Sequence, residues 1–276
     1  MSTWLITGCS TGLGRELALA VLRRGDNAVV TARNAGSVKD ITASYPDSAL
    51  ALPLDVIDRD QVSGVVREAT DRFGAIDVLV NNAGHGFRSA VEEATDAELE
   101  ELFGTNFFGA VALIQAVLPG MRARRSGAIV NLSSIAGLRS APGSGYYSAS
   151  KSALESVSDA LRKEAGPLGI KVLIVEPGGF RTDFAGRSLL QSAAPIADYV
   201  GSAGKRRKEN DTSDGKQPGD PAKFPAAIFA ALEAEQTPLR LLLGTDALTA
   251  ARTELQARLD EFDTWEATTV STDYPA

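Results

Sequence analysis

The sequence predicts an α/β fold, a parallel sheet covered by helices on both faces. Two patterns predict it. Seven short apolar runs alternate with longer amphipathic stretches along the chain, as repeated strand–helix units do. Most of those runs are rich in Val, Ile and Leu with little polar alternation, which suits strands buried on both faces. The 276 residues fit one large domain, residues 1–276, with enough chain for a substantial core.

The elements follow in order. The first strand spans about 3–7 (TWLIT), and a glycine-rich turn leads into a helix at 13–24, with Gly25 at its expected end. A strand at 27–32 (NAVVTA) precedes a helix at 36–44. A strand at 49–53 precedes a helix at 58–73, closed by Gly74. A strand at 76–81 comes next. Thr95 to Glu98 (TDAE) has capping-box spacing ahead of a long helix at 97–122. A strand at 127–132, a helix at 147–166 and a strand at 170–175 follow, with Gly169 between the last two. The regularity breaks at about 181–221, where "GKRRKENDTSDGKQPGD" is nearly free of apolar residues. A long irregular segment in a compact domain serves as a lid, a binding loop or a disordered insert. The expected lid runs over about 183–220. Its basic cluster Lys205–Lys208 reads as a solvated face. Helices at 221–235 and 246–262 flank a last strand at 239–243. A tail at 263–276, with Trp265, covers the crevice, packs on a partner subunit or hangs free.

Composition narrows the function. A net charge of -7 argues against nucleic-acid binding, which needs a basic face. One histidine, His85, excludes a multi-histidine metal site, and no metal is expected. One cysteine, Cys9, forbids an internal disulfide, so a reducing cytoplasm is the expected location. No unbroken apolar run reaches the roughly 18–20 residues of a spanning helix. No signal-peptide pattern is visible.

The turn "GCSTGLG" carries Gly8, Ser10, Thr11, Gly12, Leu13 and Gly14 between the first strand and first helix. Helix N-termini present unpaired N–H groups, and glycines let a pyrophosphate approach them. The second strand ends "TARN": Ala32 stands where an acid would hold the ribose of NAD, and Arg33 follows. A guanidinium welcomes a 2′-phosphate, so NADPH/NADP+ is the preferred cofactor and NADH the alternative. Tyr147 and Lys151 are four apart, on one helix face, with Cβ atoms about 5–6 Å apart. An ammonium near a phenol lowers its pKa and fits it for proton transfer to a carbonyl oxygen. "NNAG", "NLSS" and "EPGGFRT" end three other strands, on the side where open α/β sheets bind ligands.

These marks, "TGCSTGLG", "NNAG", "TNFFG", "NLSS", "YSASK" and "PGGFRT", occur in order over about residues 3–182. Together they resemble the short-chain dehydrogenase/reductase family, with a softer likeness to its retinol- and hydroxysteroid-dehydrogenase-like members. The resemblance implies a single-domain Rossmann fold with a seven-stranded parallel sheet. It implies reversible hydride transfer between a nicotinamide and a carbonyl or alcohol. Tyr147 would be the general acid/base and, with Lys151, would also contact the cofactor, Lys151 holding the nicotinamide ribose. Ser134 would bind the substrate oxygen, with Ser133 the lesser candidate. Asn106 would anchor a water leading from Lys151 to solvent. Asn82, Ala83 and Gly84 would line the cofactor, and Asp55 and Val56 would meet the adenine. Pro177, Gly178 and Thr182 would flank the nicotinamide. The resemblance also implies a homodimer or homotetramer.

The expected activity is NADP(H)-preferring reduction or oxidation of a small apolar carbonyl or alcohol, with Phe180, Phe184, Leu189 and Leu190 near the pocket. An NAD-linked alcohol dehydrogenase is the alternative within enzymes. A nicotinamide-sensing binding protein is the alternative outside them, and such proteins usually lose the Tyr–Lys pair. Cys9 reads as filler rather than a reactive thiol. His85 reads as local structure rather than a substrate contact. Tyr146 lines the substrate mouth or packs beside it.

Overall fold

Apolar runs buried on both faces need partners on both edges, and they find them in one sheet. A computed structural model of the chain describes residues 1–184, 186–213 and 215–274. Its strands are β1 (Thr3–Ile6), β2 (Asn27–Ala32), β3 (Ala49–Pro53), β4 (Val78–Asn81), β5 (Gly86–Arg88), β6 (Gly127–Leu132), β7 (Ile170–Pro177), β8 (Leu189–Gln191) and β9 (Arg240–Leu243). Its helices are α1 (Gly12–Arg23), α2 (Lys39–Ser44), α3 (Arg59–Phe73), α4 (Asp96–Phe103), α5 (Gly109–Arg124), α6 (Ile135–Leu138), α7 (Gly145–Ala165), α8 (Ala203–Ser213), α9 (Phe224–Glu233) and α10 (Thr245–Val270).

Seven strands form a parallel sheet in the order β3-β2-β1-β4-β6-β7-β9. Growth of the sheet reverses after β3, so β1 and β4 are neighbours whose following loops part in opposite directions. A crevice opens at such a switch point, beyond the carboxyl ends of the strands. The doubly wound sheet expected from the sequence is therefore present.

Alternate residues of each strand feed two cores. Ile6, Val30, Val80 and Val130 face Leu17 and Val21 of α1 and Phe224 and Ile228 of α9. Leu5, Val29, Leu79 and Ile129 face Val62 and Val65 of α3, Leu113, Val117 and Met121 of α5, and Leu161 of α7. Truncating one such fully buried side chain, Leu113→Ala for example, costs about 2–5 kcal/mol through lost burial and an unfilled cavity. These cores hold the strand ends, and the loops on them, in fixed positions.

The structure differs from the sequence expectation in four places. The long helix expected over 97–122 is broken: α4 passes through a π-helical turn, Gly104–Phe108, into α5. Gly109 sits where a Cβ would lie 2.6 Å from Val56 Cγ2, so only glycine admits this approach. Taken together, Asp96–Arg124 is long and apolar enough, by length and composition, to cross a membrane. Counting only unbroken apolar residues missed this, because Gly, Gln and Thr interrupt the run without making it polar on average. Its inward side chains Leu102, Leu113, Ile114 and Val117 are buried in the protein.

The segment over 183–220 is not structureless. It contributes β8, which pairs in parallel with β5, and α8, and a bridge joins Phe180 to Gly219. Lys, Arg and Glu are good helix formers, but α8 lacks the apolar stripe that would announce a packed helix. It is pinned instead by Ala203, which is buried against Gly143, and by Arg207, which pairs with the buried Glu93. The basic cluster is thus only partly a solvated face. Two residues of this expected lid, Ala185 and Asp214, lie outside the described residues. The C-terminal tail is mostly helix, since α10 runs on to Val270. Leu255, Leu259, Phe262 and Trp265 are exposed along it, and Pro275 and Ala276 lie outside the described residues. Lastly, β5 and α6, each too short for periodicity to reveal, were not expected at all.

Candidate functional site

The loop between β1 and α1 is shaped by its glycines. Gly8 and Gly12 have φ of +70° and +63°, the left-handed region that glycine enters without strain. Gly14 admits close packing: a Cβ there would lie 2.3 Å from Asn82 Nδ2 and 2.7 Å from the Gly8 carbonyl. Asn82 Nδ2 donates to the carbonyls of Thr7 (2.7 Å) and Gly8 (3.0 Å). Thr7 Oγ1 accepts from the backbone N–H groups of Asn82 and Ala83. The two loops at the switch point therefore brace each other. Thr11, at the N-cap of α1, makes no side-chain cap, and the first turn carries no acid. The helix N-terminus is left to meet an anion.

A cleft of about 1100 Å³ runs from this loop across the sheet ends. Gly8, Ser10, Thr11, Gly12, Leu13, Arg33, Asp55, Val56, Asn82, Ala83 and Gly84 line its first half. Ala32, Asn34 and Ser37 join Arg33 there, so the end of β2 contributes a guanidinium and no carboxylate. Asp55 Oδ1 accepts from Ile57 N. Gly14 does not line the cleft; it acts from behind, by letting α1 close on Asn82.

The second half holds Ser134, Tyr147, Lys151, Pro177, Gly178 and Thr182. Tyr147 and Lys151 project from the first turns of α7, and both are buried. Burial pushes the Tyr147 phenol above its ordinary value of 10.0; a hydrogen bond with Ser134 and the charge of Arg88 pull it partly back. Burial also drives Lys151 down to about 8, with Glu155 opposing. Lys151 Nζ lies 5.9 Å from the Tyr147 ring centroid and donates to the Leu132 carbonyl at 2.7 Å. The expectation that the ammonium lowers the phenol's pKa is corrected here: desolvation sets the direction, and the groups that oppose it are Ser134 and Arg88, not Lys151.

Ser134 and Ser133 are separated by their partners. Ser133 donates to Glu155, away from the phenol, while Ser134 caps α6 by accepting from Ala136 N and reaches Tyr147. Asn106 sits in the π-helical turn, buried and outside the cleft lining. Its Oδ1 accepts from His85 N, and its Nδ2 donates to the His85 carbonyl and to Ser150 Oγ. It ties the loop after β4 to α7. A Cβ on Gly84 would lie 3.0 Å from Asn106 Oδ1 and 3.5 Å from Lys151 Nζ, so Gly84 keeps that space open.

Several residues of the site escaped sequence reasoning. Asn81 donates to Asn131, and Asn131 to Ser158, a buried polar chain across β4, β6 and α7. Glu155, one turn after Lys151, and Glu176, just before Pro177, both face Arg240. Burial and the Glu155 charge push Glu176 up to about 7, against the pull of Arg240. The turn spacing from Lys151 was a readable signal for Glu155; Arg240 lies far away in sequence and gave none. Asp246, on α10, accepts from Gly179 N at 2.7 Å and would lie 2.3 Å from a Cβ on Gly178.

The remaining wall comes from Arg88, Arg139, His85, Phe184, Leu190 and Arg206. Phe184 packs 5.9 Å from the Tyr147 ring. Tyr146 is not in the wall; its hydroxyl donates to the Val91 carbonyl. Cys9 is buried, and burial raises its thiol to about 12, which makes it an inert filler. His85 Nδ1 lies 3.3 Å from the Gly86 carbonyl, while its other ring nitrogen has no hydrogen-bond partner among the described residues.

Comparison with known proteins places this geometry. The model of the short chain dehydrogenase family matches residues 2–192. "Oxidoreductase BOA17" from Botryotinia fuckeliana is 35% identical over 246 residues, 89% of either chain. Human retinol dehydrogenase 8 is 39% identical over 204 residues, 72% of this chain and 65% of that one. A crystal structure of a short-chain dehydrogenase from Streptomyces avermitilis superposes with a TM-score of 0.93 at 43% identity, covering 99% of this chain and 100% of that one.

Proposed function

The chain belongs to the short-chain dehydrogenase family, and from that premise we propose that it is an NADP(H)-preferring oxidoreductase acting on a carbonyl or secondary alcohol. Its class, an NAD(P)-dependent dehydrogenase or reductase, follows from the family. The finer reading rests on one observation above others: Tyr147, Ser134 and Lys151 converge at the end of a cleft whose other end is a glycine-built helix N-terminus.

A bound nicotinamide supplies the hydride, or accepts it in the reverse direction. The chain's own residues do the rest. The loop Gly8–Leu13 and the α1 N-terminus fit the pyrophosphate, since Gly8 and Gly12 leave room that a Cβ would take. Arg33 suits a 2′-phosphate. Lys151, held by the Leu132 carbonyl, is positioned for the ribose hydroxyls. Tyr147 holds a proton at Oη for the substrate oxygen, and its raised pKa keeps it protonated, ready to act as an acid, at neutral pH. Ser134 donates to the same oxygen. Both bind a developing alkoxide better than a neutral carbonyl, which is where rate is gained.

The proposal extends to a reducing cytoplasmic location and to a homodimer or homotetramer. The test of the cofactor reading is NADPH and NADH affinity of the purified protein and of Arg33→Ala. The expected result is a loss of about tenfold or more for NADPH, the scale of one charge-assisted bond, with NADH nearly unaffected. Equal losses for both cofactors would remove Arg33 from that role.

A further inference from the structure

We propose that the substrate carries an anionic oxygen group, a carboxylate or a phosphate, held by Arg88 beside the carbonyl that Tyr147 protonates. The inference rests on the reductase reading of the same cleft and refines its substrate from simply apolar to apolar with an acidic end.

Arg88 ends β5, just beyond the loop that follows β4. It is 8% exposed and lines the cleft with Tyr147. Among the described residues its guanidinium makes one hydrogen bond, a weak one from Nη1 to the Phe87 carbonyl at 3.4 Å. Its Nε is out of solvent and has no hydrogen-bond partner among the described residues. Among the described residues no carboxylate forms an ion pair with it. A buried cation without a counter-ion is costly, and such orphaned polar groups mark places where something outside the chain completes the bonding.

The surroundings sharpen the sign. Arg206 of α8 lines the same cleft and acts on Arg88 as a like charge, while Arg139 adds a third guanidinium to the wall. Of the acids on this side, Asp183 is drawn to Arg187 at 3.7 Å and Asp246 accepts from Gly179 N at 2.7 Å. Burial, with Arg206, brings Arg88 down to about 10, which leaves it cationic at neutral pH. Arg88 and Tyr147 line the same cleft, so an anion held by the guanidinium shares the pocket with the reacting oxygen. The His85 ring nitrogen that has no partner among the described residues, also on the cleft wall, supplies a second polar contact. Phe184 and Leu190 beside it accommodate an apolar body. A guanidinium fork matches carboxylate and phosphate oxygens alike.

The test uses the full chain with NADPH. The probes are medium-chain oxo acids with the ketone moved stepwise from the carboxylate, their methyl esters, and ketone phosphate monoesters of matched length. At the best spacing the acid should exceed its ester by about tenfold or more in kcat/KM, mainly through KM. Arg88→Gln should bring that ratio near one, and Arg88→Lys should keep part of it. Preference for the phosphate over the carboxylate would uphold the anion site and name its source. Esters equal to or better than both anions at every spacing, in the unmodified protein, would overturn the inference. Calorimetric binding of non-reducible acid and ester pairs gives the same ratio without chemistry. An intact binding ratio with no turnover of any probe would uphold the anion site and overturn the reductase reading. Turnover with no ratio would do the reverse.

Discussion

At the phosphate-loop end of the cleft, backbone does the positioning. Gly8 and Gly12 turn the chain, Gly14 lets α1 approach, and short stretches just after β2, β3 and β4 join the turn. At the Tyr147 end, side chains do it. Arg88, Ser134, Tyr147, Phe184, Arg206 and Asp246 come from separate segments spread over much of the chain. The first end needs shape and a helix dipole, which serve any dinucleotide. The second needs charges and protons in particular states, which burial tunes: Tyr147 up, Lys151 and Arg88 down. A shared cofactor and a private substrate are thus handled by two kinds of construction.

Lys151 separates the two ends by the largest effect. Replacing it with Ala should lower kcat/KM by about a hundredfold or more, the scale of a lost participant in proton transfer, with a much smaller change in melting temperature. A large melting shift with near-normal turnover would make Lys151 merely structural. At the other end, Gly14→Ala should cost about 1–3 kcal/mol of stability by overpacking against Asn82 and the Gly8 carbonyl. Gly166→Ala is the control, since an added Cβ there meets nothing and should shift denaturant midpoints little. Equal effects at the two glycines would deny the loop its close approach.

A smaller effect separates the ends by pH. The folded-state pKa of Glu176 is raised from 4.5 to about 7. A raised carboxyl favours folding below its unfolded pKa, and that contribution is lost as pH rises through the folded value. Wild type should therefore lose stability relative to Glu176→Gln between about pH 4.5 and 7, by at most about 3 kcal/mol. A difference between the two proteins that does not vary with pH would contradict the assignment.

What could be read from the sequence follows the same division. The phosphate loop, the strand ends and the Tyr147–Lys151 pair were legible because each lies within a few residues of itself, on a strand–turn–helix or a single helical turn. Of the residues expected at the site, Gly14 and Asn106 support the cleft from behind, Leu189 and Tyr146 stand outside its lining, and the others line it. The arginine wall was not legible. Arg88 reads as an ordinary polar end of a short run, and Arg206 sits in a charged stretch that looks solvated. Only pairing of β5 with β8, and docking of α8 through Arg207 and Glu93, brings them together. Burial likewise reversed the expected sign of the Tyr147 shift, and no spacing rule contains burial. The break between α4 and α5 was hidden because glycines flank a π-helical turn without disturbing the apolar pattern.

The central claim is that Tyr147 moves the proton. Its most direct test is hydride transfer from NADPH to a reducible carbonyl by wild type and Tyr147→Phe, with NADPH affinity measured on both. The account predicts a fall in turnover of about a thousandfold, within the range of general acid catalysis, with cofactor affinity changed by less than about twofold, since the phosphate loop and Lys151 stay in place. Retention of more than a few percent of the activity would contradict it and return the proton to another group.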